Sequence, residues 1–230
     1  MNDVVTTENP FSLWMLWNAG NVLTRGTLCV LVIMSFLTWW VVLTKFLDQR
    51  QLRKSLSTVE KQLWAASSLA DGVQRLRARD PLRKVAEDGL RASSHYDGRV
   101  SGRMELNDWM EASLQRSVNR VARDLKGGLS LLASIGSTAP FVGLFGTVIG
   151  VLNALVTIGL STQPSLDKVA GPVGEALYQT AIGLFVAVPA VLGYNWLLRR
   201  NVQIQEGIHE FAGDLHTYFI SGQRLEANPG

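Results

Sequence analysis

The sequence predicts an all-α integral membrane protein with three transmembrane helices, the second and third long and extended into a helical cytoplasmic domain. Three observations predict it. The 230 residues gather their apolar members into blocks longer than a buried core helix needs. The basic residues are shared very unequally among the segments that join those blocks. No strand-like alternation of any length appears.

Residues 1–24 are expected outside the cell membrane. Asp3 and Glu8 precede a mixed cluster of Phe11, Leu13, Trp14, Leu16 and Trp17. Trp and Leu on one side of a short helix suit the headgroup boundary, so the cluster reads as an interfacial helix; a helix packed on a neighbouring subunit is the other reading. Residues 25–45 are the first span. Gly26 to Thr44 gives 19 uncharged residues between Arg25 and Lys45, which at about 1.5 Å per residue just crosses a ~30 Å hydrocarbon layer. No basic region precedes this block and no small-residue cleavage site follows it, so it is read as a span and not as a cleaved signal peptide. Trp39 and Trp40 lie near the Lys45 end, as an aromatic belt places them. Cys29, the one cysteine, can form no intrachain disulfide and is expected to be a small buried apolar residue.

Residues 46–127 carry the cytoplasmic helical domain. Of the 22 lysines and arginines, 17 lie between Lys45 and Lys126, which places this loop and the Arg199-Arg200 tail inside and the N-terminus outside. The same clustering, beside long apolar blocks, argues against nucleic acid as the partner of a chain whose net charge is only +3. Leu63, Trp64, Leu69, Val73, Leu76, Leu82 and Val85 are available for packing, with breaks at Asp80-Pro81 and Ser93–Gly98. From Glu105 to Lys126, the residues Leu106, Trp109, Met110, Leu114, Val118, Val121 and Leu125 recur every three or four positions, the pattern of an amphipathic helix. Arg116, Arg120 and Arg123 occupy its other faces, where they either meet anionic lipid heads or form a solvated, ion-paired face. Nothing forces a stop at Lys126, so the helix is expected to run into the membrane, with Gly127-Gly128 as a flexible point.

Residues 128–160 form the second span. Gly136, Gly143, Gly146 and Gly150, with Ala139 and Ala154, keep its backbone narrow, and Gly146 to Gly150 is a small-xxx-small pair. That surface is expected to carry the contacts between subunits. Pro140 removes a backbone donor and is expected to kink the helix. Residues 161–170 are a short outside loop, and residues 171–198 are the third span, with Gly183 and Pro189 as its packing and kink positions. In residues 199–230 the positions Ile204, Ile208, Phe211, Leu215 and Phe219 extend a helical stripe into the cytosol, where Arg199 and Arg200 stand within reach of lipid heads; the last residues, from Gly222, read as frayed.

Glu175 is the one acidic or basic side chain inside either long run, Gly127–Leu166 or Val169–Leu198. An ionised acid at the centre of a membrane helix costs on the order of 2.5–3.5 kcal/mol, so Glu175 should face protein or water, the setting of a group that loads and unloads protons. The alternative is that it sits near the outer interface and caps the helix start. Thr147 and Thr180 are hydroxyls on otherwise apolar spans, and such threonines most often bond back to their own helix or join two helices. Glu175 and Thr180 are five residues, roughly 140°, apart, whereas Gln179, Ile182 and Val186 lie closer to the face of Glu175. No phosphate-binding loop and no membrane cluster of metal ligands is present, so neither an enzyme activity nor a cofactor nor a metal is expected.

The run Pro140-Phe141-Val142-Gly143-Leu144-Phe145-Gly146-Thr147-Val148, followed by Glu175-Ala176-Leu177, Thr180-Ala181-Ile182-Gly183-Leu184 and Val188-Pro189-Ala190, resembles the ExbB/TolQ/MotA proton-channel family over roughly residues 134–195. The layout of three spans with an outside N-terminus is similar to the ExbB and TolQ branches of that family and differs from four-span MotA. The resemblance implies a homopentamer in a bacterial inner membrane, around a central pore that holds the single spans of an ExbD-like dimer. Proton flow would then energise a TonB-like protein for siderophore uptake or, in a TolQ-like stator, the Tol-Pal envelope system. By the same resemblance Thr147, Glu175 and Thr180 fall where the family has pore-lining polar residues. A non-conducting scaffold, built from the glycine-rich helices and recruiting partners through the cytoplasmic ones, remains the reading from another class, and Glu175 separates the two.

Overall fold

The computed structural model describes residues 22–66, 68–78, 80–96, 105–161, 165 and 167–222. The interfacial helix expected over Phe11–Trp17 and the tail from residue 223 onward lie outside them. The described elements are six helices: α1 Val22–Trp64, α2 Leu69–Arg75, α3 Pro81–Ser94, α4 Leu106–Lys126, α5 Leu129–Gly159 and α6 Asp167–Ser221. Among the described residues three stretches are long and apolar enough to cross a membrane, namely Val22–Trp64, Leu106–Gly159 (which takes in α4 and α5) and Val169–Ser221. The third is part of a 55-residue helix that runs through Pro172 and Pro189 without ending, and α5 likewise runs through Pro140.

The continuous entry into the second span expected from the sequence is corrected at one point. Helix α4 ends at Lys126, Gly127 caps it in a non-helical conformation, and Gly128 takes φ 82°, a left-handed value that favours glycine, before α5 begins.

The chain divides into two compact units, Met1–Val42 with Ser130–Tyr194, and Leu43–Leu129 with Asn195–Gly230. The second unit has an ordinary soluble core. Leu63, Val73, Leu82 and Val85 pack with Leu114, Val118 and Val121 of α4 and with Ile204, Ile208 and Leu215 of α6. Those of α4 are apolar positions that the three-and-four spacing singles out, and the charged positions between them, Arg116, Arg120 and Asp124, are exposed. Helix α3 starts where Asp80 accepts a hydrogen bond from Leu82 N at 3.0 Å, with Pro81 in the first turn, and Ser55 of α1 donates to the other oxygen of the same carboxylate. Trp109 Nε1 donates to Ala92 O at 3.0 Å and ties α4 to α3.

Three helices of this unit also share a buried amide relay. Gln49 Nε2 donates to Leu197 O at 3.0 Å and to Asn201 Oδ1 at 2.7 Å, and Asn201 Nδ2 donates to Leu125 O at 3.1 Å. Both side chains are about 1% exposed. Because backbone carbonyls only accept, they fix which end of each amide points where.

The first unit is built on different terms. Its buried apolar cluster is small: Leu31, Ile135, Ala139, Val186, Ala187 and Ala190. Phe36, Phe141 and Phe185 are 66%, 69% and 77% exposed. Such an apolar exterior is unstable in water and suits hydrocarbon, which makes this an all-helical membrane protein. Cys29 is on that exterior, correcting the expectation of burial. The inward face of α1 is Thr24, Thr27, Leu31 and Thr38, at helical spacing, and position 29 falls between its members on the other side.

Candidate functional site

In the first unit, α5 and α6 run antiparallel and meet through the small residues. A methyl group added at Gly136 would lie 2.6 Å from Val191 Cγ2, and one at Gly150 would lie 2.7 Å from Ala176 Cβ. Between these the backbones themselves touch. A Cβ on Gly143 would stand 2.8 Å from Gln179 O, and one on Gly183 would stand 2.8 Å from Ala139 O and 3.0 Å from the Gly143 Cα. Only glycine permits this approach. The narrow surface of the second span, expected to join subunits, is therefore used within one chain, against its own third span.

That close approach brings the two candidate hydroxyls together. Thr147 on α5 and Thr180 on α6 are hydrogen-bonded to each other through their Oγ1 atoms, and Thr147 Oγ1 also lies 3.0 Å from Ala176 O and 3.2 Å from Gly143 O. The proton arrangement follows from counting donors. Neither carbonyl can donate, so Thr147 gives its single proton to a carbonyl and receives one from Thr180. The pair joins two helices as a latch, and its chain of protons ends on a backbone oxygen that has none to pass on.

Glu175 lies eight residues into α6, past the first turns, and so does not cap the helix start. The residue is half-buried, and its Oε1 is sealed from solvent with no hydrogen bond. Glu175 faces a different direction from Thr180, as their five-residue spacing requires, so the three candidates divide into an acid on one face of α6 and a hydroxyl pair facing α5 from another.

Sequence reasoning passed over the residue that joins these two contacts. Gln179 is 4% exposed; its Nε2 donates to Thr24 O at 3.0 Å, and its Oε1 accepts from Thr27 Oγ1 at 2.8 Å. Its signal in the sequence is an amide inside an apolar run, one turn from the acid and on its face, to which the sequence alone gave no role because it does not ionise. Thr24 and Thr27, three residues apart at the start of the first span, were the matching signal.

The basic candidates belong to the second unit. Arg120 pairs with Asp88 at 3.5 Å, while Arg116 bonds within its own helix to Ala112 O and Ser113 Oγ. Arg200 lies over the rings of Trp196, at 4.8 Å, and Phe46, at 5.6 Å. Among the described residues no group of three or more His, Cys, Asp or Glu is placed to hold a metal ion.

The model of the MotA/TolQ/ExbB proton channel family matches residues 77–210. The chain is 37% identical over 215 residues to the biopolymer transport protein ExbB of Neisseria meningitidis serogroup A, covering 91% of this chain and 98% of that one. It is 38% identical over 208 residues to the protein of the same name from Xanthomonas campestris pv. campestris, covering 86% and 82%. The Tol-Pal system protein TolQ of Pseudomonas aeruginosa is 27% identical over 208 residues, covering 88% and 90%.

Proposed function

Because the chain belongs to the MotA/TolQ/ExbB proton channel family, we propose that it is the stator subunit of an inner-membrane motor that uses the proton motive force to energise TonB-dependent uptake across the outer membrane. In this reading it forms a homopentamer around a central pore. An ExbD-like single-span protein sits in the pore, a TonB-like protein receives the work, and membrane lipids surround the whole. The N-terminus lies in the periplasm and the Lys45–Lys126 loop and C-terminus in the cytoplasm, an orientation supported by the distribution of basic residues. Arg199 and Arg200, just beyond the third span, meet lipid heads at the cytoplasmic surface.

The observation that carries the reading is Glu175. An acid with one oxygen sealed from solvent, on a helix whose neighbouring residues are apolar or small, costs folding energy that a scaffold has no reason to spend. In a conducting role it takes up and releases the travelling proton, or supplies the field that draws the proton inward. Thr147 and Thr180 hold the two pore helices at the distance this requires, and water bridges to their remaining lone pairs. Each proton driven through yields about 2.3 kcal/mol per 100 mV, so a few translocations supply the energy of a mechanical step.

Siderophore-dependent growth of a strain carrying this chain with its neighbouring genes tests the reading. Glu175→Gln keeps the volume of the side chain but cannot release a proton; it should abolish growth while leaving the assembled complex intact. Glu175→Asp should retain part of the growth, and Thr147→Val and Thr180→Val should lose less than Glu175→Gln. Wild-type growth of the Gln variant would leave the scaffold as the better account. The similarity to TolQ supports a second reading, a stator of the Tol-Pal system. Rescue of envelope integrity in place of siderophore uptake would favour it, whereas the higher identity to two ExbB-named relatives favours TonB.

A further inference from the structure

All three spans meet on the side chain of Gln179. Its amide bonds to Thr24 and Thr27 of α1, as described, and it occupies a notch that α5 leaves open at Gly146, where a Cβ would overlap the Gln179 oxygen and come within 3.0 Å of Thr27 Oγ1. The amide has one workable orientation. Thr24 O accepts and cannot donate, so Nε2 must point to it, and Oε1 is left to accept the Thr27 hydroxyl. Thr27 Oγ1 is also 2.8 Å from Thr24 O, so its single proton is shared between two acceptors on the same turn.

A polar group buried this deeply is tolerated only while it keeps its partners. The two bonds therefore hold α6 in one register and one rotation against α1. Sliding by a single residue moves the amide about 1.5 Å and turning by one residue swings it by about 100°, and either change breaks both bonds. Glu175 is one turn back on the same face of α6. Thr180 is the next residue and faces Thr147. Holding Gln179 thus fixes where both candidate groups point.

We infer that Gln179 is a positioning residue of the proton path: its bonds to the Thr24–Thr27 turn, made possible by Gly146, set the facing of Glu175 and of Thr180. This inference rests on the proton-path reading above, and it assigns Thr24, Thr27 and Gly146 a part in conduction although none of them carries a proton.

The test is proton flux into liposomes holding the full chain co-purified with its partners. Gln179→Met keeps the length and unbranched shape and loses both bonds; Thr27→Val keeps the shape and loses one; Thr27→Ser keeps the hydroxyl. Gln179→Met and Thr27→Val should each lower flux about tenfold, the factor that about 1.4 kcal/mol makes in a rate. The double variant should be no slower than Gln179→Met alone, and Thr27→Ser should restore flux to near the wild-type rate. A merely space-filling role would let Met and Val serve as well as the native side chains, and Ser would then rescue nothing. If Gln179→Met prevents assembly, the Val and Ser variants at position 27 decide. Wild-type flux from Gln179→Met or Thr27→Val, with Glu175→Gln inactive in the same preparation, overturns the inference and leaves the proton path standing. Wild-type flux from Glu175→Gln retires the proton path itself.

Discussion

Adding one methyl group at Gly183 tests the packing that forms the site. The new Cβ would stand 2.8 Å from Ala139 O and 3.0 Å from the Gly143 Cα, both backbone atoms of α5, so no side chain can rotate away and the helices themselves must separate. Overpacking of this kind costs about 1–3 kcal/mol. Alanine is also a better helix former than glycine by about 1 kcal/mol, which would mask part of the loss. Gly174→Ala and Gly213→Ala, on the same helix with nothing within 4 Å of the added carbon, gain the same propensity without the clash. The difference between Gly183→Ala and these controls isolates the cost of helix separation. A thermal melt in detergent reads it, at about 2–4 °C per kcal/mol for a chain of this size, and Gly183→Ala should melt below both controls. Coincident melting of all three variants would refute the close approach of α5 and α6, and with it the Thr147–Thr180 contact.

Further outcomes follow from the second unit and from the orientation. Asn201→Ala orphans Leu125 O and one Gln49 N–H inside the buried relay and should cost about 1–3 kcal/mol; Gln49→Ala on top of it should add less than it costs alone, as a double-mutant cycle measures. Asp80→Ala removes the N-cap of α3 and a partner of Ser55 and should cost about 0.5–2 kcal/mol, read by denaturant unfolding of the purified chain. Arg120→Ala, at a pair with the arginine 61% exposed, should change stability by no more than about 1 kcal/mol in the same measurement. In a Cys29→Ser background, a membrane-impermeant thiol reagent should label Thr7→Cys from the periplasm and fail to label Ser68→Cys in intact spheroplasts; the reverse pattern inverts the topology.

The three spans were readable because a run such as Gly26–Thr44 needs only counting, and the soluble core because positions 114, 118, 121 and 125 recur at helical spacing whatever they pack against. Periodicity identifies a face but not its partner. The glycines at 143, 146 and 150 were therefore correctly seen as a contact surface and assigned to a neighbouring subunit, when the neighbour is α6 of the same chain. Cys29 was judged by its block and not by its phase; counted from Thr27 and Leu31 it falls outside the inward face. The break at Gly127-Gly128 was legible as a weak point, yet whether two glycines bend a helix or end it depends on what the flanking segments pack against. Gln179 was placed on the face of Glu175 but given no role, for a chemical reason. A search for ionisable groups in a membrane run finds Glu175 and passes over an amide, although in a medium without water a buried amide needs its partners nearly as much.

The role proposed for Glu175 in conduction is tested most directly by proton flux through liposomes containing the complex of this chain with its co-purified partners, wild type against Glu175→Gln and Glu175→Asp, at matched oligomer content. The wild type should conduct, the Asp variant should retain a partial rate and the Gln variant should show none. Equal flux in the wild type and the Gln variant would contradict that role.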